Sequence, residues 1–211
     1  MKLKLCGIRR IEDVQMINNA APDYAGFIFW PKSRRYISPA DAKILRVSLS
    51  RGIKAVGVFV NEAPEKVAQA ARTAQLDVVQ LHGDENENYI SRLRRLYAGE
   101  IWKAVGVVTA DDVRRASQLS ADMLLFDAFD PEQRGGTGKR INLSAITGSG
   151  VDRPYFLAGG INAMNVREIL DTVIPYGIDV SSGFEVDGVK NKQKLAEFLE
   201  TIAHERKDKD E

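Results

Sequence analysis

The chain of 211 residues contains one cysteine, Cys6, so no disulfide can form within it. A reducing, cytoplasmic setting is therefore expected. Histidine is almost as scarce: His82 and His204 stand far apart with no metal-ligand spacing around them, and no structural metal is expected. An excess of one charge is lacking too. With 30 Lys+Arg against 29 Asp+Glu the formal net charge is +1, which gives no general pull toward nucleic acid or an anionic membrane. A small anionic substrate would have to be held locally. No apolar run approaches the ~20 residues that span a bilayer, and no charged-then-apolar leader opens the chain. No linker and no low-complexity block interrupts it. With 44% hydrophobic residues the expectation is one domain over 1–211 around one substantial core. Its charged end, 204–211, is expected to fray.

Eight short apolar runs are present, at 2–6, 24–29, 54–60, 77–81, 101–107, 123–127, 155–158 and 177–181. Most are continuous rather than alternating, as parallel strands covered by helices require. Helix starts lie between them. Ser38-Pro39-Ala-Asp41 offers a cap, a first-turn proline and an acid, and Thr109-Ala-Asp-Asp112 repeats the cap and acid. Asn162 is placed to cap a helix running from Val166 to Val173, and Val67, Ala70, Ala71 and Ala74 share a helical face. A strand–helix repeat of roughly 25 residues predicts an α/β fold, a single (β/α)₈ TIM barrel. An open doubly wound sheet is the alternative. It would carry its glycine fingerprint after the first strand, but that turn reads Cys6-Gly7-Ile8-Arg9-Arg10. The segment 128–140, with Gly135-Gly136-Thr-Gly138, reads as a long loop before a short helix near 143–146.

In a barrel the strand ends form the active face, and several of these ends carry reactive groups. Cys6 closes the first strand; it reads either as a buried small hydrophobe or as a base or nucleophile once its thiol ionises. Asp127 ends the apolar Met123-Leu-Leu-Phe126, where a carboxylate is costly unless paired or used. His82, after Gln80-Leu81, reads as a neutral ring held by backbone or as a site residue. Gly159-Gly160-Ile-Asn162 and Ser181-Ser182-Gly183 follow neighbouring strands and together describe a backbone cup for a phosphate. Arg34 and Arg35 lie in the loop after the second strand, as a solvated basic pair or as a clamp for a carboxylate. Lys103 reads as a Schiff-base lysine or as a lysine paired with an acid.

The segments Lys4-Leu-Cys6-Gly7-Ile8, Gly26-Phe-Ile-Phe29, Ser33-Arg-Arg35-Tyr36-Ile-Ser38, Val56-Gly-Val-Phe-Val-Asn61, Gln80-Leu-His82-Gly83, Gly135-Gly136-Thr-Gly138, Ala158-Gly159-Gly160 and Asp179-Val-Ser-Ser182-Gly183 occur in this order over nearly the whole length. In them the chain resembles the phosphoribosylanthranilate isomerases of tryptophan biosynthesis. The resemblance implies a cofactor-free Amadori rearrangement of N-(5-phosphoribosyl)anthranilate to 1-(2-carboxyphenylamino)-1-deoxyribulose 5-phosphate. It makes Cys6 the base, Asp127 the acid and Arg35 the partner of the anthranilate carboxylate. The turns at Gly159, Gly160, Ser182 and Gly183 would hold the phosphate, and Gln80 and His82 would contact the substrate. The implied partner is a small phosphorylated molecule, with no nucleic acid, membrane or obligatory protein partner. A second acid, Asp130, lies in an Asp-Pro turn, whereas Asp127 is held by the strand, so ring opening is assigned to Asp127. Two rivals are a histidine-pathway isomerase, which would carry an aspartate on strand one, and a non-catalytic phosphosugar-binding barrel.

Overall fold

The computed structural model describes residues 1–128 and 141–207. The expected long loop with Asp130, and the side chains of the expected tail, lie outside the described residues. Eight parallel strands close into a barrel in sequence order. They are β1 (Lys2–Cys6), β2 (Tyr24–Ile28), β3 (Lys54–Phe59), β4 (Val78–Leu81), β5 (Glu100–Val107), β6 (Met123–Ala128), β7 (Tyr155–Leu157) and β8 (Gly177–Val180). Helices α1 (Ile11–Ala20), α2 (Pro39–Val47), α3 (Pro64–Ala74), α4 (Glu87–Arg94), α5 (Ala110–Ser117), α6 (Leu143–Thr147), α7 (Val166–Thr172) and α8 (Lys192–Lys207) follow the strands in turn. The expected barrel is thus observed, with strand ends shifted by a residue or so. A short hairpin, β9 (Glu185–Val186) and β10 (Val189–Lys190), lies between β8 and α8, turning through Asp187 and Gly188 at positive φ. No described helix is long and apolar enough to cross a membrane.

Strand alternation sorts the side chains into two cores. Leu3, Leu5, Phe27, Val79, Leu81, Leu124, Phe126, Ile178 and Val180 face outward and pack with the helices. Tyr24, Val56, Val78, Trp102, Leu125 and Phe156 face inward and fill the barrel. There Trp102 stacks on Phe156 at 4.8 Å between ring centres, and Tyr24 meets Trp102 edge-on at 4.8 Å. This aromatic layer plugs the interior. The inward series then continues two residues further along each strand, from Lys4 to Cys6, Val78 to Gln80 and Leu125 to Asp127. The polar groups therefore collect above the plug, at the strands' C-terminal ends.

The helix starts follow local chemistry. The Ser38 hydroxyl accepts from the Asp41 N–H at 3.1 Å, and Thr109 with Asp112 forms a reciprocal capping box. The expectation for α7 needs correction: its cap position is Asn165. Asn162 begins a preceding turn, accepting from the Met164 N–H at 2.9 Å, while Asn165 accepts from the Asn162 N–H at 2.9 Å. Two asparagines three residues apart compete to start one helix, and the second is nearer the apolar run.

Closure pairs β1 with β8 in the register Lys4↔Asp179 and Leu5↔Val180. It buries an ion pair, Lys4 Nζ to Asp179 Oδ2, at 2.6 Å with the lysine side chain fully covered. Removing one partner of such a pair strands the other charge, at about 3–5 kcal/mol, whereas apolar replacement of both is far milder. Lys4→Met should accordingly lose stability on that scale in urea unfolding, and Lys4→Met/Asp179→Val should recover most of it. Equal losses in the two variants would contradict the pairing.

Candidate active site

A cavity of about 460 Å³ opens above the aromatic plug. Its wall includes Cys6, Arg35, Gln80, His82, Asp127, Gly159, Gly160 and Ser182, so one space gathers residues from six strands or strand-following turns. Gly183 is not part of that wall. A Cβ there would lie 2.0 Å from the Ile161 carbonyl oxygen, so this glycine lets the turn after β8 pack directly on the turn after β7.

Cys6 faces the interior because it lies two residues beyond Lys4 on the same strand face. Opposite it in register is Gly26, where any Cβ would sit 2.6 Å from Sγ, so the thiol occupies space that glycine leaves. Burial pushes the Cys6 thiol above its ordinary value; the charges of Lys4 and Lys190 pull it down, and Asp179 adds to the rise. Burial also disfavours the Lys4 ammonium, but Asp179 and Cys6 outweigh that and hold its pKa above the usual lysine range. The Asp179 Oδ1 atom is buried without a hydrogen-bond partner among the described residues.

The acid side is a chain of three groups. Gln80 Nε2 lies 3.1 Å from His82 Nδ1, and His82 Nε2 lies 3.2 Å from Asp127 Oδ2. With the amide nitrogen of Gln80 turned to the ring, Nδ1 accepts, and this favours the tautomer whose proton is on Nε2, aimed at the carboxyl. The other carboxyl oxygen, Oδ1, accepts the Ala128 N–H at 2.7 Å. Asp127 is thereby held at both oxygens by β6 and by the turn after β4. His82 is anchored by side chains as well as by its N–H to the Phe59 carbonyl at 2.8 Å.

The glycine turn after β7, the turn after β8 and the basic loop after β2 border the same cavity as Cys6. Gly159 and Gly160 have φ of 92° and 67°, a region that only glycine enters without strain. The Gly160 carbonyl is fixed by Asn162 Nδ2 at 3.0 Å and Asn165 Nδ2 at 2.9 Å. Arg35 is buried, with its Cδ 2.6 Å from where a Cβ on Gly7 would be. Its Nε and Nη2 donate to Glu185 Oε1 and Oε2, both at 2.7 Å. Arg34 is more exposed and reaches Glu185 Oε2 at 3.2 Å. Lys190 donates to the Cys6 carbonyl at 2.6 Å, to the Ser181 carbonyl at 2.9 Å and to Glu185 Oε1 at 2.8 Å.

Lys103 does not join the site. It is in register with the outward-facing Leu81 and Leu124, and its ammonium binds the Gly83 carbonyl at 2.7 Å and Glu85 at 2.9 Å. The Schiff-base reading gives way to that of a paired lysine that braces the turn carrying His82. Lys4, Asp179, Glu185 and Lys190 are site residues that the sequence reading did not single out. Lys4 had a signal: it shares the period-2 face of Cys6, and a lysine on that face needs a buried acid. Glu185 and Lys190 lie on a two-residue-strand hairpin with no apolar run to announce it.

Fold and site define a (β/α)₈ barrel with a thiol, a carboxyl and two glycine turns converging at its C-terminal face. The family described as N-(5'-phosphoribosyl)anthranilate isomerase matches residues 3–201, and the chain belongs to that family. It is 42% identical over 201 residues to the N-(5'-phosphoribosyl)anthranilate isomerase of Clostridium acetobutylicum, covering 94% of this chain and 96% of that protein. The crystal structure of phosphoribosyl anthranilate isomerase from Thermotoga maritima superposes with a TM-score of 0.86 at 38% identity, covering 97% and 99% of the two chains. A further structure of such an isomerase, in complex with reduced 1-(o-carboxyphenylamino)-1-deoxyribulose 5-phosphate, has a TM-score of 0.83 at 36% identity over 97% and 99%.

The raised thiol sets a pH signature. Only the thiolate is alkylated, so at pH values below the folded-state pKa the rate climbs about tenfold per unit. Because Cys6 is the sole thiol, iodoacetamide labelling reads it directly. Labelling should still be accelerating at pH 9.0, the ordinary thiol value, and a plateau by about pH 7 would contradict the buried, protonated thiol.

Proposed function

We propose that this barrel acts as one catalytic domain that isomerises N-(5'-phosphoribosyl)anthranilate to 1-(o-carboxyphenylamino)-1-deoxyribulose 5-phosphate in tryptophan biosynthesis. The observation that most supports the reading is that Cys6 and Asp127 line one cavity bordered by the paired glycine turns. The substrate's phosphate would lie on backbone donors of the turns at Gly159-Gly160 and Ser182-Gly183, with Gly183 allowing the two to approach each other. Its anthranilate carboxylate would meet Arg35, and Gln80 and His82 would face the sugar from β4.

Chemistry then follows from the charges that must move. Asp127 gives a proton to the furanose ring oxygen; the C1′–O bond breaks and nitrogen's lone pair forms the iminium. His82 Nε2–H hydrogen-bonds the carboxylate left behind, so the negative charge formed on Asp127 is met by a donor already in place. The Cys6 thiolate removes the C2′ proton, the C–H electrons form the C1′–C2′ double bond, and the iminium is neutralised to an enolamine. The enolamine then tautomerises by exchange with solvent, C1′ gaining a proton as the C2′ hydroxyl loses one, which gives the ketone. Lys4 and Lys190 supply the positive charge that a buried thiolate needs.

Two measurements test this. In a fluorescence assay of anthranilate-adduct consumption, Cys6→Ala and Asp127→Asn should each lower turnover by about 10²–10⁴-fold with little change in affinity for the reduced product analogue. Near-normal turnover in either variant would remove that residue from its role. Gly160→Ala places a side chain at a φ of 67° beside the anion's path, so it should weaken inorganic phosphate and the analogue together. Undiminished phosphate binding would put the cup elsewhere.

A further inference from the structure

Arg35, the residue assigned to the substrate's aryl carboxylate, is already gripped by one edge. Its Nε and Nη2 form a two-point pair with Glu185, both contacts at 2.7 Å. A pair of that kind fixes the plane of a guanidinium as well as its position. It also consumes only two of five N–H groups and leaves the Nη1–Nη2 edge for a second carboxylate. Glu185 is in turn fixed by Lys190, whose ammonium binds Oε1 at 2.8 Å while holding the carbonyls of Cys6 at 2.6 Å and Ser181 at 2.9 Å. One buried cation thus connects the turn bearing the base, the turn after β8 and the acid that orients Arg35. Burial opposes the charge on Glu185, but Arg35 and Lys190 outweigh it and hold the carboxyl at about 2, so the acid stays ionised through neutral and mildly acidic pH. With Arg34, Arg35 and Lys190 around this one carboxylate, positive charge remains in excess and an incoming anion is still attracted.

We propose that Glu185 is a positioning residue for aryl-carboxylate recognition: it holds Arg35 by its Nε–Nη2 edge so that the other edge receives the substrate carboxylate, and Lys190 ties this fixture to the turn that carries Cys6. The proposal rests on the reading of Arg35 as the carboxylate's partner. Selectivity then comes from a guanidinium set in advance at a defined distance from the base, with no ordering needed on binding.

The test compares two ligands, reduced 1-(o-carboxyphenylamino)-1-deoxyribulose 5-phosphate and its counterpart without the ring carboxylate. The parent protein should prefer the carboxylated ligand by roughly ten- to a hundredfold, and Arg35→Lys should lose that preference. Glu185→Gln should reduce the preference to within about threefold while changing the affinity for the decarboxylated ligand by less than about threefold. Glu185→Asp keeps the charge on a shorter stem and should give an intermediate preference; it answers the question if Glu185→Gln fails to fold. An unchanged or increased preference in the folded Glu185 variants would overturn the proposal, as would equal weakening of both ligands, which marks a purely structural pair. A parent protein that does not discriminate would overturn the Arg35 reading and the proposal with it, whereas discrimination lost in Arg35→Lys but kept in the Glu185 variants overturns the proposal alone.

Discussion

Strands β1 and β8 come from opposite ends of the chain, and their pairing decides which way Cys6 faces. In the observed register Lys4 meets Asp179, 175 residues away, and Cys6 emerges beside Ser181. A slip of one residue would turn Lys4 and Cys6 out toward the helices and bring Leu3 and Leu5 inward. The Lys4–Asp179 pair resists such a slip, since either charge alone on the outer, apolar side would be uncompensated. Everything that follows at the barrel mouth depends on that closure: the thiol over Gly26, the Lys190 contacts to two neighbouring turns, and the seat of Arg35 above Gly7.

The site is built from opposed electrostatic effects. Burial raises the Cys6 thiol, and two lysines work against burial. Burial raises Glu185 as well, yet there the cations prevail and the carboxyl falls to about 2. The contrast follows from geometry. Glu185 is hydrogen-bonded by Arg35 and Lys190 together, whereas the ammonium that bonds the Cys6 side chain, Lys4, is shared with Asp179, and Lys190 bonds the Cys6 backbone carbonyl. A permanently ionised acid suits an orienting role. A raised pKa makes the Cys6 thiolate, once formed, a stronger base toward a carbon-bound proton, and the two lysines supply the charge that helps it form.

Much of the architecture was legible in the residues themselves. Short apolar runs marked all eight strands, and most were continuous, because parallel strands buried on both faces leave little room for polar residues. Cys6, His82 and Asp127 stood out as chemistry at the ends of such runs, and the structure brings all three to one cavity. What escaped is long-range. Nothing local in Ser182-Gly183-Phe184-Glu185 says that Glu185 will meet Arg35, 150 residues earlier in the chain. The helix start at Asn165 rather than Asn162, and the outward direction of Lys103, likewise depend on packing against neighbours and on strand phase. The contact between His82 and Gln80, two residues apart, is also visible only once both side chains are placed.

The central claim is a division of labour, with Asp127 opening the ring and Cys6 removing the C2′ proton. Deuterium at C2′ of the substrate separates the two steps. In Cys6→Ala, proton removal becomes the slow step, and the residual turnover should show a primary isotope effect. In Asp127→Asn, ring opening precedes C–H cleavage and becomes slow, so the same substitution should leave turnover almost unchanged. An isotope effect in Asp127→Asn together with none in Cys6→Ala would contradict the assignment.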